Sequence, residues 1–236
     1  MDEDQSLIAH LQALRQVLIK SFTALGLGLL PLFFLSPYVI EVLINVMFAG
    51  QKLTLNYFAP MEVFILQIKT ALLLDVLLCF PYIAKQIWLF ILPALYDNER
   101  RFIKSIVLIS STLFILGVLF CLFFILPLII KFALSFTTAN ITPVLGISNV
   151  VSLALWLSFI FGICFQFPLI TYALIANDII DYVAVKGKRA YVFVGILIIS
   201  GLLTPPDIVS QLMLTLPTYG LFEIGLYFGK VKQKNS

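Results

Sequence analysis

The side chains in this sequence that could do chemistry are a few polar residues within long apolar runs. Lys69, Asp75 and Glu223 are ionisable and Gln166 carries an amide, and each lies among Leu, Ile, Val and Phe. A charge at the centre of a membrane costs roughly 3 kcal/mol or more, so such residues are usually kept for binding, pairing or ion transfer. These four are therefore the first candidates for a functional role.

Covalent catalysis and metal binding lack their usual residues. The one histidine, His10, precedes the first apolar run, and Cys79, Cys121 and Cys164 fall in three separate runs without CxxC spacing. A metal site needs several converging ligands, intramembrane Ser–His catalysis needs a histidine at depth, and no phosphate-binding glycine loop is present. We expect no enzyme, no metal and no cofactor, and interpret the cysteines as small apolar packing residues.

Composition indicates the solvent in which these residues must be positioned. The 236 residues are 61% hydrophobic and 11% charged, whereas soluble domains are about a quarter charged. The net charge of +3 gives no broad basic surface for nucleic acid. The acidic, polar amino end followed by a long apolar run predicts a retained first span rather than a cleaved signal peptide. We therefore predict an all-α integral membrane protein.

A helix needs roughly 20 apolar residues to cross the bilayer. We predict a single membrane domain over 1–236 with spans at about 17–37, 62–84, 105–130, 150–176, 190–204 and 209–228. The last apolar region is divided because Thr204-Pro205-Pro206-Asp207 cannot continue a lipid-facing helix. The fifth span is then only about 22 Å long, and the sixth is also short.

The distribution of basic residues orients these spans, because cytoplasmic loops are enriched in Lys and Arg. The opposite side carries only Lys52 and Lys131. An even number of spans places both termini in the cytoplasm, together with Arg15, Lys20, Lys85, Arg100, Arg101, Lys104, Lys186, Lys188, Arg189, Lys230, Lys232 and Lys234.

Several motifs are specific enough to resemble a known family. The amino end reads His10-Leu11-Gln12-Ala13-Leu14-Arg15, and the second span begins Pro60-Met61-Glu62-Val63-Phe64. The first cytoplasmic loop contains Pro93-Ala94-Leu95-Tyr96-Asp97-Asn98-Glu99-Arg100-Arg101, and the fourth span Phe165-Gln166-Phe167-Pro168. The last hairpin is followed by Leu221-Phe222-Glu223-Ile224-Gly225. In this order the motifs resemble the TatC family, the multi-spanning core of the twin-arginine protein translocase.

The resemblance implies a receptor in the bacterial cytoplasmic membrane that binds twin-arginine signal peptides at its cytoplasmic face. It also implies single-span partners of the TatA and TatB type, several copies in the working complex, and export of folded proteins driven by the proton gradient. Glu99 matches the family's principal twin-arginine-binding acid, and a carboxylate accepts the forked hydrogen bonds of a guanidinium. The motifs further imply peptide contacts at Leu95, Tyr96, Arg15 and His10, and partner docking at Thr204 and Gln211.

Two positions depart from the family. Ala13 stands where a glutamate usually assists recognition, and a methyl group accepts no hydrogen bond, so we expect peptide binding to rely more on Glu99. Gln166 also replaces a usual glutamate. Because Pro168 frees the carbonyl of Cys164, we expect the Gln166 amide to bond to that carbonyl, and a role in a polar cavity stays open beside this structural one.

The remaining intramembrane polar or structural candidates are Lys69, Pro168, Asp207 and Glu223. Lys69 shares a helix face with Glu62 and is expected to extend outward toward it. Asp75 matches no family motif and must face protein or water. Glu223 lies seven residues before Lys230, within reach of the cytoplasmic interface.

An alternative function is a small-solute or ion transporter that uses Lys69, Asp75, Gln166 and Glu223 as a polar path. Transporter motifs are expected near the bilayer midplane at broken helices. The longest motif here lies in a cytoplasmic loop, which favours the receptor and also weighs against an assembly scaffold without a ligand.

Overall fold

The fold is almost entirely helical. A computed structural model describes residues 2–48, 55–91, 100–136, 144–176, 179–203 and 208–235. Within these ranges the helices are α1 (Asp2–Met47), α2 (Pro60–Ile91), α3 (Arg100–Phe120), α4 (Leu126–Leu134), α5 (Ile147–Cys164), α6 (Phe167–Ala176), α7 (Tyr182–Gly187), α8 (Arg189–Leu203) and α9 (Ile208–Asn235). The prediction of an all-α protein is confirmed.

Six crossings account for these helices. Among the described residues, four stretches are long and apolar enough to cross a membrane, at Leu14–Met47, Pro60–Phe90, Lys104–Leu134 and Ile147–Ala176. The fifth crossing is α8, which has 15 residues and extends about 22 Å. The sixth is α9, whose apolar sequence is interrupted by polar side chains such as Gln211, Thr215 and Glu223. The count of six and the short fifth span agree with the prediction, whereas α9 is a helix of 28 residues.

The third crossing contains a π-helical turn that the sequence did not predict. It covers Cys121–Ile125, between α3 and α4, and the N–H of Leu126 donates to the carbonyl of Cys121, five residues back. Pro127 follows directly and has no N–H to donate. The wider turn therefore lies next to a residue that interrupts the regular hydrogen-bond ladder.

The chain divides into two compact units. Unit 1 comprises Met1–Val42 and Ala59–Thr112, and unit 2 comprises Leu43–Phe58 and Leu113–Ser236. Unit 1 exposes large apolar side chains along α1, including Leu27 at 81% and Phe34 at 76%, as expected for a surface in contact with lipid tails.

Unit 2 has a buried apolar core. It includes Cys121, Leu126, Phe161 and Leu214. Two short strands belong to this unit, β1 (Leu55–Asn56) and β2 (Leu145–Gly146), and they pair in parallel. Because they follow the first and third crossings, both strands lie on the side opposite the termini.

Helices α6 and α9 of unit 2 pack at very short range because of two glycines spaced four apart. A Cβ on Gly225 would lie 2.6 Å from the carbonyl oxygen of Pro168, and one on Gly229 would lie 2.8 Å from Cδ1 of Ile175. This is the small-xxx-small arrangement through which membrane helices bring their backbones together. The contact fixes the part of α9 that carries Glu223.

Candidate functional site

Most of the predicted signal-peptide contacts lie outside the described residues. Leu95, Tyr96 and Glu99 fall within 92–99, and the backbone of His10 belongs to α1 while its side chain is not described. Arg15 is described and is exposed on α1. The assigned roles of these residues therefore stay predictions.

Gln211, predicted as a partner-docking residue, bonds across the α8–α9 pair. Its Nε2 donates to the carbonyl of Leu197 at 2.9 Å, and the hydroxyl of Thr215 donates to the Gln211 carbonyl at 2.7 Å. A Cβ on Gly201 would lie 2.8 Å from the same Nε2, so α8 has a glycine where the amide crosses. Half-buried Gln211 thus holds α8 to α9, while Thr204 and Asp207 lie outside the described residues.

The end of α8 has a second attachment, to α5. The indole Nε1 of Trp156 donates to the carbonyl of Leu203 at 3.0 Å. Leu203 is the last residue of α8, and carbonyls at a helix end lack an intrahelical donor. The indole satisfies one of them, so both α5 and α9 contribute to positioning this short helix.

Glu223 of α9 forms an ion pair with the first residue of α8. Its Oε2 lies 2.6 Å from an Nη of Arg189, with the two side chains 30% and 40% exposed, and its Oε1 accepts from the hydroxyl of Tyr219 at 2.8 Å. Both carboxylate oxygens are therefore bonded, which offsets the cost of placing a charge in a span. Sequence reasoning placed Glu223 within reach of the cytoplasmic interface but missed both partners. The contact between Tyr219 and Glu223 could have been predicted from the sequence, because residues four apart share a helix face.

The prediction for Gln166 was wrong in its acceptor. Its Nε2 donates to the carbonyl of Gly162 at 3.4 Å rather than to that of Cys164. The chain breaks between α5 and α6 at this point, and the Gln166 N–H donates to Ile163, three residues back, at 2.9 Å. The carbonyl of Gly162 thereby loses its regular helical donor, and the side-chain amide replaces it. Pro168 is buried just beyond the break.

Asp75 is buried between α2 and α1 within unit 1. It is 1% exposed; its Oδ1 accepts from the thiol of Cys79 at 3.4 Å, and its Oδ2 has no hydrogen-bond partner among the described residues. A Cβ built on Gly28 would collide with the Asp75 carboxylate. The expectation that Asp75 faces protein is met, and Gly28 provides the space that it occupies.

Lys69 and Glu62 have different environments on α2. Lys69 is exposed, whereas Glu62 lies in the first turn, where its Oε2 accepts from the N–H of Ala59 at 3.3 Å. This contact satisfies one of the free N–H groups at the helix start, as in a capping box. Glu62 therefore stabilises the start of the second crossing.

Comparisons with known proteins bear on the whole chain. The family model described as "Sec-independent protein translocase protein (TatC)" matches residues 9–217. The chain is 32% identical to the Sec-independent protein translocase protein TatC of Azotobacter chroococcum mcd 1, covering 97% of this chain and 90% of the relative. It is 34% identical to the protein of that name from Haemophilus influenzae, covering 99% and 92%. A crystal structure described as the twin arginine translocase receptor TatC superposes with a TM-score of 0.87 at 33% identity, covering 95% of this chain and 99% of that one.

Proposed function

The chain belongs to the TatC family of Sec-independent protein translocase proteins, and from this premise we propose that it is the receptor core of a twin-arginine translocase in the bacterial cytoplasmic membrane. In this role it binds twin-arginine signal peptides at its cytoplasmic face. It also organises TatA- and TatB-type partners, in more than one copy, for export of folded proteins driven by the proton gradient.

The observation that carries this proposal is the likeness over nearly the full chain to a solved twin arginine translocase receptor. The predicted topology supports it, because the bias of basic residues predicts cytoplasmic termini and the segment 92–99, which contains Glu99, follows the second span. A signal peptide with two adjacent arginines approaches from that side. In this topology the most specific motif of the sequence is expected on the side from which the signal peptide arrives.

The chemistry of recognition rests on Glu99. A carboxylate accepts two parallel hydrogen bonds from a guanidinium, whereas a lysine ammonium offers no such fork. A hydrogen bond to a charged group contributes about 1.5–3 kcal/mol, which corresponds to roughly a tenfold to hundredfold change in affinity. Ala13 provides no second acceptor, so Glu99 supplies more of this energy here than in relatives with an acid at that position.

Capture of a precursor by the purified protein tests the proposal. We expect a precursor with an Arg-Arg signal to be retained, one with Lys-Lys to be lost, and Glu99→Gln to weaken capture at least tenfold. Asp97→Asn is the matched control, because it removes a carboxylate from the same loop and should leave capture near the parent level. Equal capture of the Arg-Arg and Lys-Lys precursors would contradict the proposal.

The reliance on Glu99 has its own test. Ala13→Glu adds the acid that relatives usually carry, and we expect it to tighten binding of a twin-arginine peptide in a titration. Unchanged affinity would show that position 13 is not near the arginine pair in this chain. That result would not bear on the receptor function itself, which the precursor-capture experiment tests.

The alternative of a solute transporter gains no specific support. Gln166 bonds to the carbonyl of Gly162 and Glu223 pairs with Arg189, so each has a local structural role in unit 2. A transporter would also be indifferent to exchange of the arginine pair in a precursor, which the capture experiment measures directly.

A further inference from the structure

A partly open cavity of about 350 Å³ lies between α6, α7, α8 and α9 of unit 2. Its walls are mainly branched apolar side chains and one ring, including Leu174, Ile180, Val185 and Phe222. The charged side chain that lines it is a cation, Lys188. We call this cavity the α7 groove; it combines an apolar interior with one positive charge.

The α7 groove lies at the level of the lipid head groups on the cytoplasmic side. α7 is a six-residue helix in the loop between the fourth and fifth spans and buries none of its residues. Tyr191 and Tyr227, on the flanking ends of α8 and α9, are 79% and 64% exposed. Exposed tyrosines at span ends are typical of the membrane–water interface, where the ring is in lipid and the hydroxyl in water.

The charges around the groove favour an anion. Lys186 and Lys188 are exposed, and the Nζ of Lys230 lies 5.9 Å from the centre of the Tyr182 ring. The two described carboxylates nearby are already engaged: Oδ1 of Asp181 accepts from the N–H of Val183 at the start of α7, and Glu223 is paired with Arg189. Lys188 is therefore the charge available to a molecule that enters the groove.

We propose that the α7 groove binds an acidic phospholipid, with its phosphate paired to Lys188 and one acyl chain against Val185 and Phe222. Basic pockets between membrane helices on the cytoplasmic side are suited to such head groups. The surrounding bilayer provides the acyl chain without a further partner. The site is independent of the proposed receptor function, because it depends only on the membrane topology and on unit 2.

Native mass spectrometry of the purified full-length protein in detergent tests this assignment. Phosphatidylglycerol and phosphatidylcholine with identical acyl chains are added, and the lipid retained by each protein is compared. We expect the parent to retain phosphatidylglycerol preferentially and Lys188→Gln to reduce that preference about fivefold. Lys186→Gln is the matched control, since Lys186 is exposed two residues away and does not line the groove, and it should keep the preference.

A second variant tests the apolar part of the site. Ala184 also lines the groove, and Ala184→Phe should fill it and lower retention of both lipids while the variant remains monodisperse and helical. Equal retention of the two lipids by the parent, or equal loss from the Lys186 and Lys188 variants, would refute the assignment. Retention by the parent no greater than by Ala184→Phe would also refute it.

Discussion

The contact between Gly28 and Asp75 allows a quantitative test of how unit 1 is packed. In Gly28→Ala, the new Cβ would collide with Oδ1 of Asp75 and lie 2.9 Å from its Cγ. Asp75 is 1% exposed, so its carboxylate has little room to move aside. Alanine at this position should therefore push the facing segments of α1 and α2 apart.

The expected magnitude follows from two opposing effects. Overpacking of a buried contact costs about 1–3 kcal/mol, while alanine gains up to about 1 kcal/mol over glycine in a helix. Because the obstructing atoms end a short side chain that can rotate slightly, we expect a net loss of about 1 kcal/mol. Gly26→Ala is the matched control: nothing lies within 4 Å of its added Cβ, so it should be neutral or slightly stabilising.

Removal of Asp75 should relieve the strain. Asp75→Ala deletes the obstructing carboxylate, and also a buried oxygen without a hydrogen-bond partner among the described residues, whose desolvation costs about 1–3 kcal/mol. We expect Asp75→Ala to be close to neutral, and the Gly28→Ala/Asp75→Ala double variant to be at least as stable as Asp75→Ala. The cycle should give a coupling of about 1–2 kcal/mol, as is usual for residues in contact.

Unfolding in detergent micelles on titration with sodium dodecyl sulfate, followed by loss of helical circular dichroism, measures these differences. Equal stability of Gly28→Ala and Gly26→Ala would contradict this packing. Failure of Asp75→Ala to rescue Gly28→Ala would also contradict it, because the three atoms nearest the added Cβ all belong to that carboxylate.

Three further predictions concern unit 2. Gln211→Leu should reduce co-purification of TatA- and TatB-type partners while precursor capture is kept. Thr215→Val removes a hydroxyl from the same helix face and should have a smaller effect. Loss of capture in Gln211→Leu would indicate misfolding instead. Trp156→Phe removes the donor to the Leu203 carbonyl and should lower the free energy of unfolding, measured by the same titration, by about 1 kcal/mol. An unchanged value would show that water replaces the indole. Arg189→Gln and Glu223→Gln should each lower the free energy of unfolding by about 1 kcal/mol, because the ion pair is partly exposed. The loss in the double variant should be smaller than the sum of the two single losses. Strict additivity would show that the two side chains do not interact.

The outline of the fold was predictable because bilayer thickness limits span length and basic residues are biased to one side of the membrane. The sequence 204–207 predicted the division of the last apolar region, and α8 and α9 lie on either side of it. The π-helical turn at Cys121–Ile125 was not predictable, since a proline signals an interruption but not how the chain accommodates it.

Partners of the intramembrane polar residues were harder to predict than their burial. The cost of a charge in lipid predicted that Asp75 faces protein, but Gly28 could be identified only when the two helices were placed side by side. Arg189 and Glu223 are 34 residues apart, and their pairing depends on how α8 packs on α9. Periodicity along one helix gives no information about such contacts.

Gln166 shows where a local rule misleads. The loss of an N–H at Pro168 correctly indicated a break, and we inferred that the nearest side-chain amide would bond to the freed carbonyl of Cys164. Helical side chains are directed toward the preceding turn, so the amide reaches Gly162 instead. Because the backbone N–H of Gln166 donates to the carbonyl of Ile163 instead, the Gly162 carbonyl is left without its regular helical donor.

Gln166 carries an amide, which cannot titrate, at a position where the family resemblance implies a glutamate. In this chain the amide makes a structural bond at the break between α5 and α6. If the chain supports export, uptake and release of a proton at position 166 is not required for it. The amide then serves to satisfy the Gly162 carbonyl, and under the proposed function any coupling to the proton gradient would involve other groups of the translocase.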